Sequence, residues 1–92
     1  MYTVYVLYAN SWGKIYVGYT SNLINRFHSH NKLANKGYTS KFRPWVVIYT
    51  EDFNDKESAI KREKELKSSR GRAFLKTEII PIMKSVGFIS VS

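Results

Sequence analysis

Residues 14 to 20 read KIYVGYT. Ile15, Val17 and Tyr19 alternate with Lys14, Tyr16, Gly18 and Thr20, the period of a short strand with two different faces. One face sets a phenol beside a glycine, a poor choice if packing were the only demand. Gly18 leaves room beside Tyr16 for another group to approach the sheet closely. Upstream, YTVYVLY (Tyr2 to Tyr8) is rich in β-branched and aromatic residues and also reads as a strand. ANSWG turns the chain between them, so the two form a hairpin. A four-residue loop from Ala9 to Trp12 pairs Tyr8 with Gly13 and sets Tyr5 opposite Tyr16. A five-residue loop sets Tyr5 opposite Val17 instead.

Working outward, TSNLINRFHSHNKL follows as a helix, with Thr20 or Ser21 as its cap. Its apolar stripe is Leu23, Ile24 and Phe27, continuing to Leu33 or Ala34. Residues 34 to 44 are a basic loop. WVVIYTE (Trp45 to Glu51) is a third strand, apolar enough to be central. NDKESAIKREKELKS is a second helix opened by Asn54 and Glu57 in a capping-box spacing. SRGRAFLKTEII is a third helix that ends before Pro81, and MKSVGFISVS is a tail. The order ββαβαα predicts an α+β fold, a small three-stranded antiparallel sheet flanked by helices. The expected division is one domain over residues 1–80 with a C-terminal tail over 81–92.

Charge and composition narrow the function. The 92 residues carry 15 Lys and Arg against 7 Asp and Glu, a net charge of +8. That excess on a small body favours polyanions, nucleic acid first. There are no cysteines, which excludes disulfides, zinc-thiolate sites and cysteine nucleophiles. No apolar run approaches the roughly 20 residues of a membrane span, and no secretory signal opens the chain. The expected setting is the cytoplasm, with no membrane partner and a monomer assumed.

Three polar positions stand out. Glu63 lies four after Ala59, three after Ile60 and three before Leu66, so helical spacing places it within the apolar stripe. An inward carboxylate is either a cation ligand or half of an internal ion pair. Arg26 and His30 are one turn apart and point the same way, beside the stripe of the first helix. Arginine suits a phosphate through its planar fork, although a lone arginine reads first as a surface group with a snorkelling stem. His28 and His30, two apart, do not face each other, which excludes a metal pair.

Together these residues resemble the GIY-YIG nuclease family. The half-motifs fall on Thr3, Val4, Tyr5 and on Tyr16, Val17, Gly18. TSNLINRFHSHN is similar to the family's helix, with Arg26 and His30 at its arginine and histidine positions. AIKREKELK is similar to the segment that supplies the metal-binding glutamate, here Glu63. The likeness runs over residues 2 to 76 and is greatest to small stand-alone members. Thr3 replaces the glycine of the first half-motif, and the late asparagine of some members has no counterpart.

The resemblance implies a metal-dependent endonuclease that hydrolyses nucleic-acid phosphodiesters, DNA in preference to RNA, with structure-selective cutting in repair or recombination. It places the site on the face bearing both tyrosines. It implies that Glu63 binds one divalent Mg²⁺ or Mn²⁺ and that Arg26 holds the phosphate. Tyr5 would orient and deprotonate the attacking water, supported by Tyr16 and His30, with the roles exchangeable. Gly18 would keep the sheet open beside the reacting group, and Lys14 would support phosphate contact. A free phenol is ionised about one part in a thousand at pH 7, so nearby cations must lower its pKa or the proton must be relayed. Lys32, Lys36, Lys41 and Arg43 in the middle loop, with Lys67, Arg70 and Arg72, are candidate nucleic-acid contacts, and Trp12, Tyr38 and Phe42 candidate stacking groups. The alternatives are a module of the same fold that binds nucleic acid but cleaves weakly, and a protein-interaction domain.

Overall fold

The computed structural model of the protein describes residues 1–28, 42 and 44–89. Its sheet has three strands: β1 (Tyr2–Ala9), β2 (Lys14–Thr20) and β3 (Val46–Phe53), in the order β2-β1-β3, both pairings antiparallel. The α+β architecture is the expected one. The centre of the sheet is not. β1 is the central strand, buried continuously from Val4 to Ala9, whereas β3 lies at an edge. Thr50 and Asp52 explain this, because exposed polar side chains alternate along the second half of β3.

The β1–β2 register also differs from both sequence readings. Ala9 pairs with Lys14, so the loop is Asn10 to Gly13, and Tyr5 lies opposite Gly18 while Tyr16 lies opposite Leu7. Gly13 has φ +64, a left-handed conformation that belongs in a turn rather than a ladder. The shift relative to the four-residue reading is two residues on the paired strand. Tyr5 and Tyr16 therefore keep a common face and sit diagonally. Between Val6 and Leu7 the β1–β3 register slips, leaving Ile48 as the extra residue of a bulge. The bulge lets Ile48 and Tyr49 both pack with the helix-side core, while Val47 joins the opposite face with Trp45.

Two cores cover the two faces. Val4, Val6, Tyr8, Val17 and Ile48 pack against the C-terminal helices through Ala59, Leu66, Leu75 and Ile80. Tyr5, Leu7, Ala9 and Trp45 form the other, with Tyr16, Leu23 and Phe27 packed on it. Helix α1 (Leu23–His28) brings Leu23 and Phe27 there. Its cap is Asn22, not Thr20 or Ser21: the Asn25 N–H donates to Asn22 Oδ1 at 3.1 Å. Ile24 is 82% exposed and leaves the stripe. Leu33 and Ala34 lie outside the described residues.

Helix α2 (Lys56–Lys67) is capped by Asp55, one residue later than expected, which accepts from the Ser58 N–H at 2.8 Å. Ser68 ends it and caps the next helix, α3 (Ser69–Phe74), by accepting from the Gly71 N–H at 3.2 Å. The corner is tight. A Cβ on residue 71 would lie 2.2 Å from the Glu65 carbonyl oxygen, so only glycine fits. The chain then stays helical past the proline. A π-turn (Leu75–Ile79) leads into α4 (Ile80–Ser85), in which Pro81 occupies the first turn. The Ile80 N–H bonds back to Leu75 O, five residues away, and a proline in a first turn needs no donor of its own. The stop read at Pro81 is thus absorbed. Gly87, at φ +79, turns the chain so that Ile89 returns to the helix-side core at 5% exposure.

Candidate active site

The tyrosines meet at the outer edge of β2. A hollow of about 300 Å³ is lined by Tyr5, Tyr16, Gly18, Tyr19, Thr20, Arg26 and Glu63. It crosses the strand edge. The two phenols come from one face of the sheet, and Glu63 arrives on α2, which packs on the other. The carboxyl group and the phenols therefore share one hollow.

Gly18 makes this geometry possible, though differently from the expectation. The space above it is not left open; the Tyr5 side chain fills it. A Cβ on residue 18 would lie 2.6 Å from Tyr5 Oη and 2.8 Å from Cζ. Lacking that Cβ, Tyr5 crosses its partner strand to reach the edge. Tyr16 leans on the Tyr5 ring at 6.2 Å between centroids, tilted by 32°. On its other side it meets Trp45 edge-on at 6.4 Å. Trp45, 1% exposed, thereby positions the second phenol. Its role was not legible in a strand whose run looked merely apolar. Tyr19 and Thr20 were missed because they sit on the strand's other face or at its end, and only a hollow that crosses the edge gathers them.

Arg26 reaches the site from α1, the helix anchored by the Asn22 cap. Its guanidinium hydrogen-bonds the Tyr5 phenol, which pushes the arginine pKa further up. Tyr5 responds in the opposite direction to that expected. Burial pushes its phenol up to about 12, and the neighbouring Arg26 offsets only part of that shift.

Glu63 is 16% exposed at its side chain, and Lys67 Nζ lies 3.6 Å from its Oε2. Lys67 is itself half-exposed, so this contact is weak. Among the described residues no three His, Cys, Asp or Glu side chains cluster as a metal cage. A single hard oxygen donor still fits a magnesium-like ion, which keeps most of its waters and takes one or two carboxylates.

The remaining candidates fall elsewhere. Lys14 lies at the far end of β2, its Nζ 5.4 Å from the Phe42 ring centroid, and does not line the tyrosine hollow. Arg72 and Lys67 line a neighbouring hollow with Ile15 to Val17. Arg70 opens on a separate groove between α2 and α3. His30, Lys32, Lys36, Tyr38, Lys41 and Arg43 lie outside the described residues.

A phenol pair, a guanidinium and a carboxylate gathered by two half-motifs and two helices define a class. The GIY-YIG catalytic domain profile matches residues 1–77, and the chain belongs to that family, a nuclease fold family. Among its relatives is a UPF0213 protein of Staphylococcus haemolyticus, 41% identical over 54 residues, covering 59% of this chain and 66% of that one. Another, from Pediococcus pentosaceus, is 43% identical over 53 residues, 58% of this chain and 56% of its own. The match thus spans just over half to two thirds of these relatives' length. The solution structure of a UPF0213 protein from Bacillus halodurans aligns over 100% of both chains with a TM-score of 0.55 and 27% identity. Among the described residues, no helix is long and apolar enough to cross a membrane.

Proposed function

We propose that the chain is a metal-assisted endonuclease that hydrolyses phosphodiester bonds, in DNA in preference to RNA. The observation that carries this is the poorly paired Glu63 carboxylate sharing a hollow with Arg26, Tyr5 and Tyr16 on a molecule of charge +8. Glu63 would hold Mg²⁺ or Mn²⁺, which supplies Lewis acidity toward a phosphate oxygen. Arg26 grips the phosphate and offsets charge as it builds in the transition state.

The two phenols divide the remaining work. With a pKa of about 12, ionising Tyr5 at pH 7 costs about 7 kcal/mol. Tyr5 therefore stays neutral, holding Arg26 in place and offering its own O–H as a donor. Tyr16, half-buried in the same hollow, is the phenol we place beside the attacking water, as its orienter and proton acceptor. A cleft that meets its substrate through phosphate-binding cations reads shape more than sequence, which favours branched or flapped DNA of the kind met in repair and recombination.

The test is nicking of forked, flapped and plain DNA, and of structured RNA, with Mg²⁺ or Mn²⁺. Cutting by the parent, lost in Arg26→Ala and Glu63→Ala, supports the reading. A parent that binds DNA in a salt-dependent way and never cuts replaces it with the binding module.

A further inference from the structure

Three hollows follow one another along the outer edge of β2. The first is the tyrosine hollow. The second, about 220 Å³, lies between Ile15 to Val17 and the side chains of Lys67 and Arg72. The third, also about 220 Å³, lies between Gly13 to Ile15 and Arg72 with Lys76. Tyr16 lines the first and second, and Ile15 and Arg72 line the second and third, so the three make one trough. Its walls are the strand edge on one side and the α2–α3 corner with the π-turn on the other. Among the described residues lining it, Glu63 at the active-site end is the sole acid. Lys67, Arg72, Lys14 and Lys76 extend away from it. Beyond the last hollow, the hairpin tip carries Trp12, 56% exposed, edge-on to Phe42 at 5.6 Å.

We propose that this trough holds a single nucleic-acid strand. Its phosphates lie on Lys67, Arg72, Lys14 and Lys76, and an unpaired base stacks on Trp12. The substrate accordingly presents unpaired strand on one side of the cut. Charge selects the occupant: an edge strand can also receive a peptide, but four successive cations match a polyphosphate backbone. Gly18 to Lys14 spans about 13 Å at ~3.3 Å per residue, and the cations follow one another along that edge. The aromatic end selects the single strand, because a base offers its face to a side chain only when it is out of the duplex stack. The inference rests on the nuclease reading for which phosphate is cut, and not for binding.

The experiment is fluorescence anisotropy with the full chain in EDTA, so that no cutting occurs. Labelled oligonucleotides of about 12 nucleotides are used, single-stranded and duplex, as DNA and as RNA, across about 50 to 200 mM salt. Single strand is expected to bind at least about tenfold tighter than duplex, and the DNA and RNA arms identify which is held. Arg72→Ala with Lys76→Ala should reduce the salt slope for single strand by about 1.4, and Arg72→Lys should preserve it. Trp12→Ala should weaken single-strand binding about five- to 150-fold and leave duplex unchanged.

An unmoved salt slope in the double variant, with a native circular dichroism spectrum, overturns the trough, as does equal binding of duplex. Tighter binding of labelled polyglutamate than of the single strand at equal charge overturns it in favour of a peptide. A parent that never cuts yet shows these shifts keeps the trough and removes the nuclease reading. A parent that cuts with its slope unmoved does the reverse.

Discussion

Two carboxylates near α2, Glu51 and Glu63, share similar neighbours and have different fates. Glu51, on β3, receives Arg62 Nε at 3.1 and 3.0 Å and Nη2 at 2.9 Å, and the Tyr49 hydroxyl donates to it as well. Tyr49 in turn packs edge-on against Phe74 at 6.0 Å. Burial pushes the Glu51 carboxyl up, but the hydrogen bonds from Arg62 and Tyr49 outweigh it and leave it below its ordinary range. Glu63 is the next residue along the helix from Arg62 and points to the other edge of the sheet. It also has tyrosines and an arginine near it, yet Arg26 is bonded to Tyr5 rather than to the carboxylate. A closed cluster of carboxylate, arginine and phenol serves the fold. An open one keeps its charges available for a substrate.

The sharpest way to break the comparison is to remove each carboxylate in turn. Glu63→Ala, like Arg26→Ala, should lower nicking by about 10³-fold or more, with the thermal midpoint scarcely moved. Glu51→Ala should cut within a few-fold of the parent. If Glu51→Ala loses activity and Glu63→Ala does not, the roles are reversed.

The next effect concerns the buried phenol. A raised pKa means the folded state keeps Tyr5 neutral while the unfolded chain ionises near pH 10. Stability is intact below about pH 10 and falls as pH climbs to about 12, by about 3 kcal/mol. Urea titrations over that range should show the loss, and Tyr5→Phe should flatten it.

Gly18→Ala should follow closely. Its Cβ meets the movable end of Tyr5, so the phenol shifts, and cutting should drop about 100-fold while the fold survives. Gly71→Ala, by contrast, meets backbone and should lose the fold itself, read as a missing cooperative transition.

The smallest effect sharpens the closed cluster. Glu51→Ala should cost about 1–2 kcal/mol, because both partners are partly exposed. The depressed carboxyl makes its contribution above its ordinary value of 4.5 and loses it as pH falls below that, so the parent should weaken in acid more than the variant does. Equal acid sensitivity of the two would show that the cluster is not responsible.

Spacing singled out two of the candidate positions, and the family resemblance gathered them into a site. Glu63 stood out because a charge occupied an apolar helical stripe, and Gly18 because a glycine interrupted an aromatic strand face. Arg26 was assigned only through the family resemblance, because a lone arginine beside an apolar stripe reads first as a surface group. Trp45, Tyr19 and Thr20 could not be read, since each joins the site only through a hollow that crosses the sheet edge. The caps slipped by one or two residues at the first helix and by one at the second because Thr20, Ser21 and Asn22, like Asn54 and Asp55, all have capping chemistry. Which one caps depends on where packing of Leu23, Phe27 and Ala59 starts the helix. Pro81 was read as a stop because the local rule sees the missing donor and not the π-turn that makes it unnecessary.

By itself, the sequence determined the element types and their order as far as the π-turn, the charge and the identity of the chemical side chains, because these follow from local periodicity and composition. Tertiary structure alone decided the register of the hairpin, the central place of β1 and the direction of the Tyr5 pKa shift. Those depend on long-range choices: which turn residue takes a left-handed φ, which strand is covered on both faces, and how far a phenol is removed from water before its arginine can compensate.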